Sequence, residues 1–109
     1  QDPPVFLEHA EFNSTAIMND LDLSVQPGMF LEKQIFALDP DDQLISFRLL
    51  KPTGTANWLS IKSEFQENGI ASVTIAGTVP SLIDSESYAL IASDPTGRFT
   101  LLSINILED

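Results

Sequence analysis

The chain has no cysteine, which removes disulfides, thiolate zinc sites and cysteine nucleophiles together. Basic residues are scarce, 5 Lys+Arg against 16 Asp+Glu, for a formal net charge of −11. A field of that sign repels phosphate backbones and anionic lipid, so neither nucleic acid nor direct membrane insertion is expected. No apolar run approaches the ~20 residues that span a bilayer. His9 is the only histidine and reads as a surface residue: no Gly-x-Ser-x-Gly elbow accompanies it, and no spacing supports a triad or a His-rich metal site. Paired carboxylates for glycoside hydrolysis need an enclosed cleft, which a small domain of this kind seldom builds. No enzyme is expected. The opening Gln1-Asp2-Pro3-Pro4 lacks the basic-then-apolar form of a signal peptide and has no initiator methionine. The chain therefore reads as a single domain excised from a longer protein, or as a mature form.

What is present is strand signal. Short runs rich in Val, Ile, Phe and Thr alternate with Pro, Gly, Asn and Asp turns. Strands are predicted at Val5 to Glu8, Leu21 to Val25, Phe30 to Leu38, Gln43 to Leu50, Trp58 to Lys62, Ile70 to Ala76, Ser87 to Ser93 and Arg98 to Leu107. The period-2 phase puts Ile35, Ala37, Ile45, Phe47, Leu49, Val73, Ile75, Tyr88, Leu90, Ala92, Leu102, Ile104 and Ile106 inside. Gln34, Ser46, Arg48, Ser72, Thr74, Ser93, Ser103 and Asn105 fall on the outer faces. Phe36, Leu44, Ile91 and Leu101 break that pattern and are expected to edge the fold or face a neighbour. Asn13 to Leu21 and Ser81 to Ser87 each allow at most a turn of helix. Many short strands without a convincing helix imply an all-β sandwich of seven to eight strands.

Two strands stop at acidic turns, Asp39-Pro40-Asp41-Asp42 and Asp94-Pro95-Thr96-Gly97. In the second, Pro95 presets φ and Gly97 completes the reversal; the first lacks the glycine and carries Asp42 instead. Two readings stand side by side. Aspartates are good turn residues that bond their own backbone. Alternatively, carboxylates gathered from distant positions at one pole suit a hard cation that takes six to eight oxygens.

Three passages carry a resemblance: Phe36-Ala37-Leu38-Asp39-Pro40-Asp41-Asp42 leading into Phe47; Asn57-Trp58-Leu59 followed by Gly77-Thr78-Val79-Pro80; and Tyr88 to Asp94 running on to Ile106. Together they resemble the cadherin-like domains, in particular the dystroglycan-type branch and the related bacterial putative-Ig modules. Pro3-Pro4-Val5-Phe6 is similar to a cadherin repeat opening. The Asp-Arg-Glu motif and the complete Asp-x-Asn-Asp linker of true cadherins are absent. The resemblance implies an Ig-like or cadherin-like β-sandwich, with Asp39 and Asp41 as the paired acids of a calcium motif and Asp94 as its later single acid. Asp42, a carbonyl or water would complete the shell, and Glu108, Asp109 and Asp2 would serve the junction with a neighbouring unit or are solvated termini.

The expected function is a non-catalytic, extracellular adhesion or spacer module of a larger, membrane-anchored cell-surface protein, stiffened by weakly bound calcium. Its partners would be neighbouring domains of the same chain. The alternative is an accessory domain of a secreted protein that binds a carbohydrate or protein ligand through exposed aromatics among Phe12, Phe30, Phe65 and Phe99. Trp58 is expected to plug the sandwich floor with its N–H on a carbonyl, and Tyr88 to act as a corner tyrosine. Asn13-Ser14-Thr15 satisfies the N-glycosylation pattern.

Overall fold

The computed structural model describes residues 3–7, 18–41, 43–51, 58–67, 69–81 and 86–108. The expectations for Asp2, Glu8, His9, Phe12, Asn13, Asp42, Asn57 and Asp109, and most of both candidate helical turns, lie outside these residues. Eight strands run in order: β1 (Val5–Leu7), β2 (Asp20–Val25), β3 (Phe30–Leu38), β4 (Ser46–Leu50), β5 (Ser60–Glu67), β6 (Ile70–Thr78), β7 (Glu86–Ser93) and β8 (Phe99–Glu108).

They form two four-stranded sheets, ordered β1-β3-β6-β5 and β2-β8-β7-β4. All pairings are antiparallel except β2 with β8, which run parallel from Asp20 opposite Ser103 to Val25 opposite Glu108. The opening of the chain thus supplies one edge to each sheet.

Alternating strands with one apolar face bury that face only by stacking on another. The inner phases of β3, β6, β7 and β8 do this: Ile35, Val73, Ile75, Leu90, Leu102, Ile104 and Ile106 are at most 1% exposed. Burying each such side chain stabilises the fold by about 1.5–3 kcal/mol. The predicted inner residues are buried apart from Leu49, which is partly exposed but packs against the core. Phe6, Leu7, Val25, Leu31, Leu59, Ala71 and Val79 join them without having been expected.

Two strand boundaries differ from expectation for physical reasons. β4 begins at Ser46 rather than Gln43. The backbone just before it is engaged by a side chain instead of a strand: Ile45 N–H donates to Gln66 Oε1 at 2.9 Å, and Gln66 Nε2 donates to the Gln43 carbonyl at 3.0 Å. One amide thereby replaces a pair of ladder bonds and ties the flank of one sheet to the other. β5 begins at Ser60, after Trp58 and Leu59, and continues to Glu67. From Lys62 to Glu67 it is almost wholly exposed, so it carries no apolar alternation to read. Its ladder with β6 is kept by backbone pairing, with an irregularity between Ile61 and Ser63.

At the far end of the sandwich, Trp58 is partly buried and its Nε1–H donates to Glu86 Oε1 at 2.9 Å, a carboxylate rather than the expected carbonyl. The Tyr88 hydroxyl donates to the same oxygen at 3.3 Å, and the two rings meet edge to face with centroids 6.2 Å apart. Tyr88 is therefore anchored within its own strand and not to a corner backbone group. Burial, then the Glu86 charge and hydrogen bond, pushes its phenol well above the ordinary tyrosine range. Behind Trp58, Gly77 lies so close that a Cβ there would stand 1.8 Å from the Trp58 carbonyl oxygen.

Candidate cation site at the acidic pole

β3 and β7 end at Leu38 and Ser93, and the pairings place both ends at one pole. Val5 opposes Leu38, Ile70 opposes Leu38, and Ser46 and Phe99 both oppose Ser93. The Thr100 hydroxyl donates to the Pro4 carbonyl, bridging the two sheets at this end. Asp39 and Asp94 are the first residues beyond their strands, each followed by proline, which cannot donate to a ladder.

Each aspartate folds back on its own turn. Asp39 Oδ1 accepts the Asp41 N–H at 2.8 Å. Asp94 Oδ1 accepts the Thr96 N–H at 2.9 Å, the Thr96 hydroxyl at 2.6 Å and the Arg98 N–H at 3.1 Å. The Gly97 N–H donates to the Asp94 carbonyl at 3.1 Å, and Gly97 sits at φ +92°, which a glycine adopts freely. The expected turn is therefore present. The Thr96 hydroxyl, with help from backbone N–H groups and the Arg98 charge, holds the Asp94 carboxyl below the usual aspartate value.

The turn bonds use only one oxygen of each carboxylate. Asp39 is 2% exposed and Asp94 6% exposed, and Oδ2 of both is buried with no hydrogen-bond partner. Leaving a buried carboxylate oxygen without a hydrogen-bond partner is unfavourable. Turn chemistry explains the Oδ1 atoms and leaves the Oδ2 atoms unexplained. Gln43 Oε1 is a third buried oxygen without a partner. It follows the first acidic turn, and a lone amide near a turn gives no signal in sequence. Carboxylate and amide oxygens are the donors a hard cation accepts.

Asp41 is exposed, with its backbone N–H serving Asp39. Among the described residues no three His, Cys, Asp or Glu side chains converge closely enough to hold a metal ion. Glu108 ends β8 opposite Val25, at the other end of the sandwich from Asp39 and Asp94. Asp42, Asp2 and Asp109 lie outside the described residues.

No family model matches the sequence, and no curated protein matches it. Solved structures do match by shape. The chain superposes along its whole length on 14% of an endo-fucoidan hydrolase of glycoside hydrolase family 107, with TM-score 0.66 and 19% identity. It superposes over 99% of its length on about half of the tandem Ig repeats of Dlar, TM-score 0.56 and 15% identity. A chimeric titin Z1Z2 protein matches over 99% of this chain and 48% of its own, TM-score 0.57 and 13% identity. The fold is an Ig-like β-sandwich. The chain spans half or less of the length of each of these proteins. Among the described residues no helix is long and apolar enough to cross a membrane.

Proposed function

We propose that this Ig-like domain is a non-catalytic adhesion or spacer module of a larger extracellular, cell-surface protein, stiffened by calcium at its acidic pole. The observation that carries this reading is the pair of buried, unpartnered Oδ2 atoms of Asp39 and Asp94, on turns from opposite sheets at one end. Bound calcium would neutralise carboxylates gathered at this pole. Asp39 and Asp94 would supply charged oxygens and Gln43 a neutral one, while Asp41, exposed and not converging with them, would join only if its turn moved on binding. So few protein donors leave most of the six to eight positions to water, carbonyls or an adjoining domain, and affinity on the order of millimolar is expected. The cadherin-like, dystroglycan-type resemblance points the same way.

Thermal unfolding in calcium, in magnesium and in chelator, at matched ionic strength, tests the reading. A calcium-specific rise in midpoint that disappears in Asp39→Asn and in Asp94→Asn supports it. An unchanged midpoint, both in the single domain and in a tandem of two, refutes it.

A second reading, an accessory ligand-binding domain, draws on one specific observation: Phe30, Phe65 and Phe99 are each about 60% exposed. Phe65 lines a groove of about 270 Å³ with Leu44, Phe47, Glu64 and Gln66, and one shape match is part of a fucoidan hydrolase. Retardation in gels containing fucoidan, lost in Phe65→Ala, would favour this reading; unretarded migration would remove it.

A further inference from the structure

The outer faces of the two sheets differ in character. That of β1-β3-β6-β5 is mostly polar at its centre, with Glu32, Gln34, Ser72 and Thr74 and the Lys62–Glu32 ion pair across it, and its exposed rings, Phe30 and Phe65, stand apart toward opposite ends. That of β2-β8-β7-β4 is apolar at its centre. Leu101 is 43% exposed there beside the partly exposed Ile91, with Phe99 59% exposed in the next row and Leu50 42% exposed on the edge strand. The register sets three rows across this face: Ser46–Ser93–Phe99, then Arg48–Ile91–Leu101, then Leu50–Ala89–Ser103–Asp20. A depression of about 330 Å³ lies between Arg48, Ile91, Ser93, Gly97 and Phe99. Contiguous apolar surface of this kind with a polar rim marks an interaction face.

We propose that this face self-associates, the occupant being a second copy of this chain. Three features make it complementary to itself, as a two-fold interface requires. With the axis running along the strands between β7 and β8, β7 of one copy covers β8 of the other, so Ile91 meets the other copy's Leu101 in both halves. The Phe99 ring meets the other copy's Ser93, which lines the depression, so each copy offers a ring and a hollow to take it. β4 of one copy covers β2 of the other, bringing Arg48 toward the other copy's Asp20, one row away, about 7 Å along the strand. That distance is within an arginine's reach. The positive and negative rims of the face lie on opposite edges, so the rotation that buries Ile91, Phe99 and Leu101 brings them together; Leu50 of one copy shares the row of the other's Asp20, and Arg48 reaches that carboxylate across it. Four strands at about 4.8 Å spacing make a face about 15–20 Å wide, which belongs to small, transient interfaces.

Sedimentation equilibrium of the protein from about 10 μM to about 1 mM covers the range of such contacts. It is run in chelator, which makes the outcome independent of the acidic pole. The salt is kept near 0.15 M, where a Debye length of about 8 Å screens the repulsion between two acidic copies. The expected result is a monomer–dimer equilibrium that is abolished in Leu101→Glu and weakened at least about tenfold in Arg48→Asp and in Asp20→Arg. Arg48→Asp combined with Asp20→Arg restores the pair and should recover the dimer. Circular dichroism checks that each variant is folded, and every substituted side chain is exposed. A monomer at all concentrations, a dimer indifferent to Leu101→Glu, or a charge-swapped double variant no better than the singles would each overturn the proposal.

Discussion

Replacing Gly77 by alanine is a demanding test of the packing. The added Cβ would lie 1.8 Å from the Trp58 carbonyl oxygen, 2.8 Å from the Trp58 carbonyl carbon and 3.2 Å from Leu59 Cα. All three atoms are backbone, so no rotamer change relieves the contact; residues 58–59 or β6 must move by more than an ångström. Leu59 is fully buried and cannot follow without opening the core. Overpacking alone costs about 1–3 kcal/mol. Partial loss of Leu59 packing adds a fraction of the 2–5 kcal/mol that a full leucine truncation costs. The expected destabilisation is therefore about 3–4 kcal/mol, a large share of the 5–15 kcal/mol typical of a folded domain. At about 4–8 °C per kcal/mol the thermal midpoint should fall by roughly 12–32 °C. Gly97→Ala is the control, because a Cβ there meets nothing within 4 Å and only its φ of +92° is unfavourable. It should cost about 1–2 kcal/mol. Equilibrium denaturation in urea with Trp58 fluorescence measures both variants. A Gly77→Ala loss below about 1 kcal/mol, or no larger than that of Gly97→Ala, would refute the close approach.

Other consequences are equally direct. Because the Asp94 carboxyl is held below its ordinary value, it stabilises the fold above about pH 4 and that contribution is lost as pH falls further. Stability in Asp94→Asn should accordingly be less pH-dependent between pH 5 and acid unfolding, which a series of urea melts will show. The Tyr88 phenol is shifted the other way, so the fold is penalised only above about pH 10, where the unfolded chain ionises first. Ultraviolet titration should find this single tyrosine un-ionised until the protein unfolds. Glu86→Ala leaves the Trp58 N–H and Tyr88 hydroxyl without their shared acceptor; a loss of about 1–3 kcal/mol and altered Trp58 emission are expected. Gln66→Leu frees the Ile45 N–H and the Gln43 carbonyl. It should cost about 1–3 kcal/mol and speed amide exchange at Ile45, while exchange at Val73 stays slow.

Much of this architecture is legible in one dimension because a strand with one buried face repeats every two residues. Ile35 and Ala37, Leu90 and Ala92, and Leu102 to Ile106 announce both their secondary structure and their inward side. β5 is less legible: from Lys62 to Glu67 it is an exposed edge whose pairing comes from β6, leaving its side chains no reason to alternate. The candidate cation site divides similarly. The Asp-Pro turns are visible as turns, and Asp94-Pro95-Thr96-Gly97 closes as its residues dictate. That their second oxygens are buried and unpartnered is set by the tertiary fold and is not written in the turn residues themselves.

Local composition and periodicity by themselves determined an all-β chain, its inner phase and the position of its acidic turns, since these follow from backbone sterics and the burial of every second side chain. Pairing partners lie far apart in sequence and share no local signature, so only the tertiary structure decided the rest. It set β2 parallel to β8, pressed Gly77 against Trp58, joined Trp58 and Tyr88 through Glu86, and brought Ile91, Phe99 and Leu101 together as one exposed apolar face.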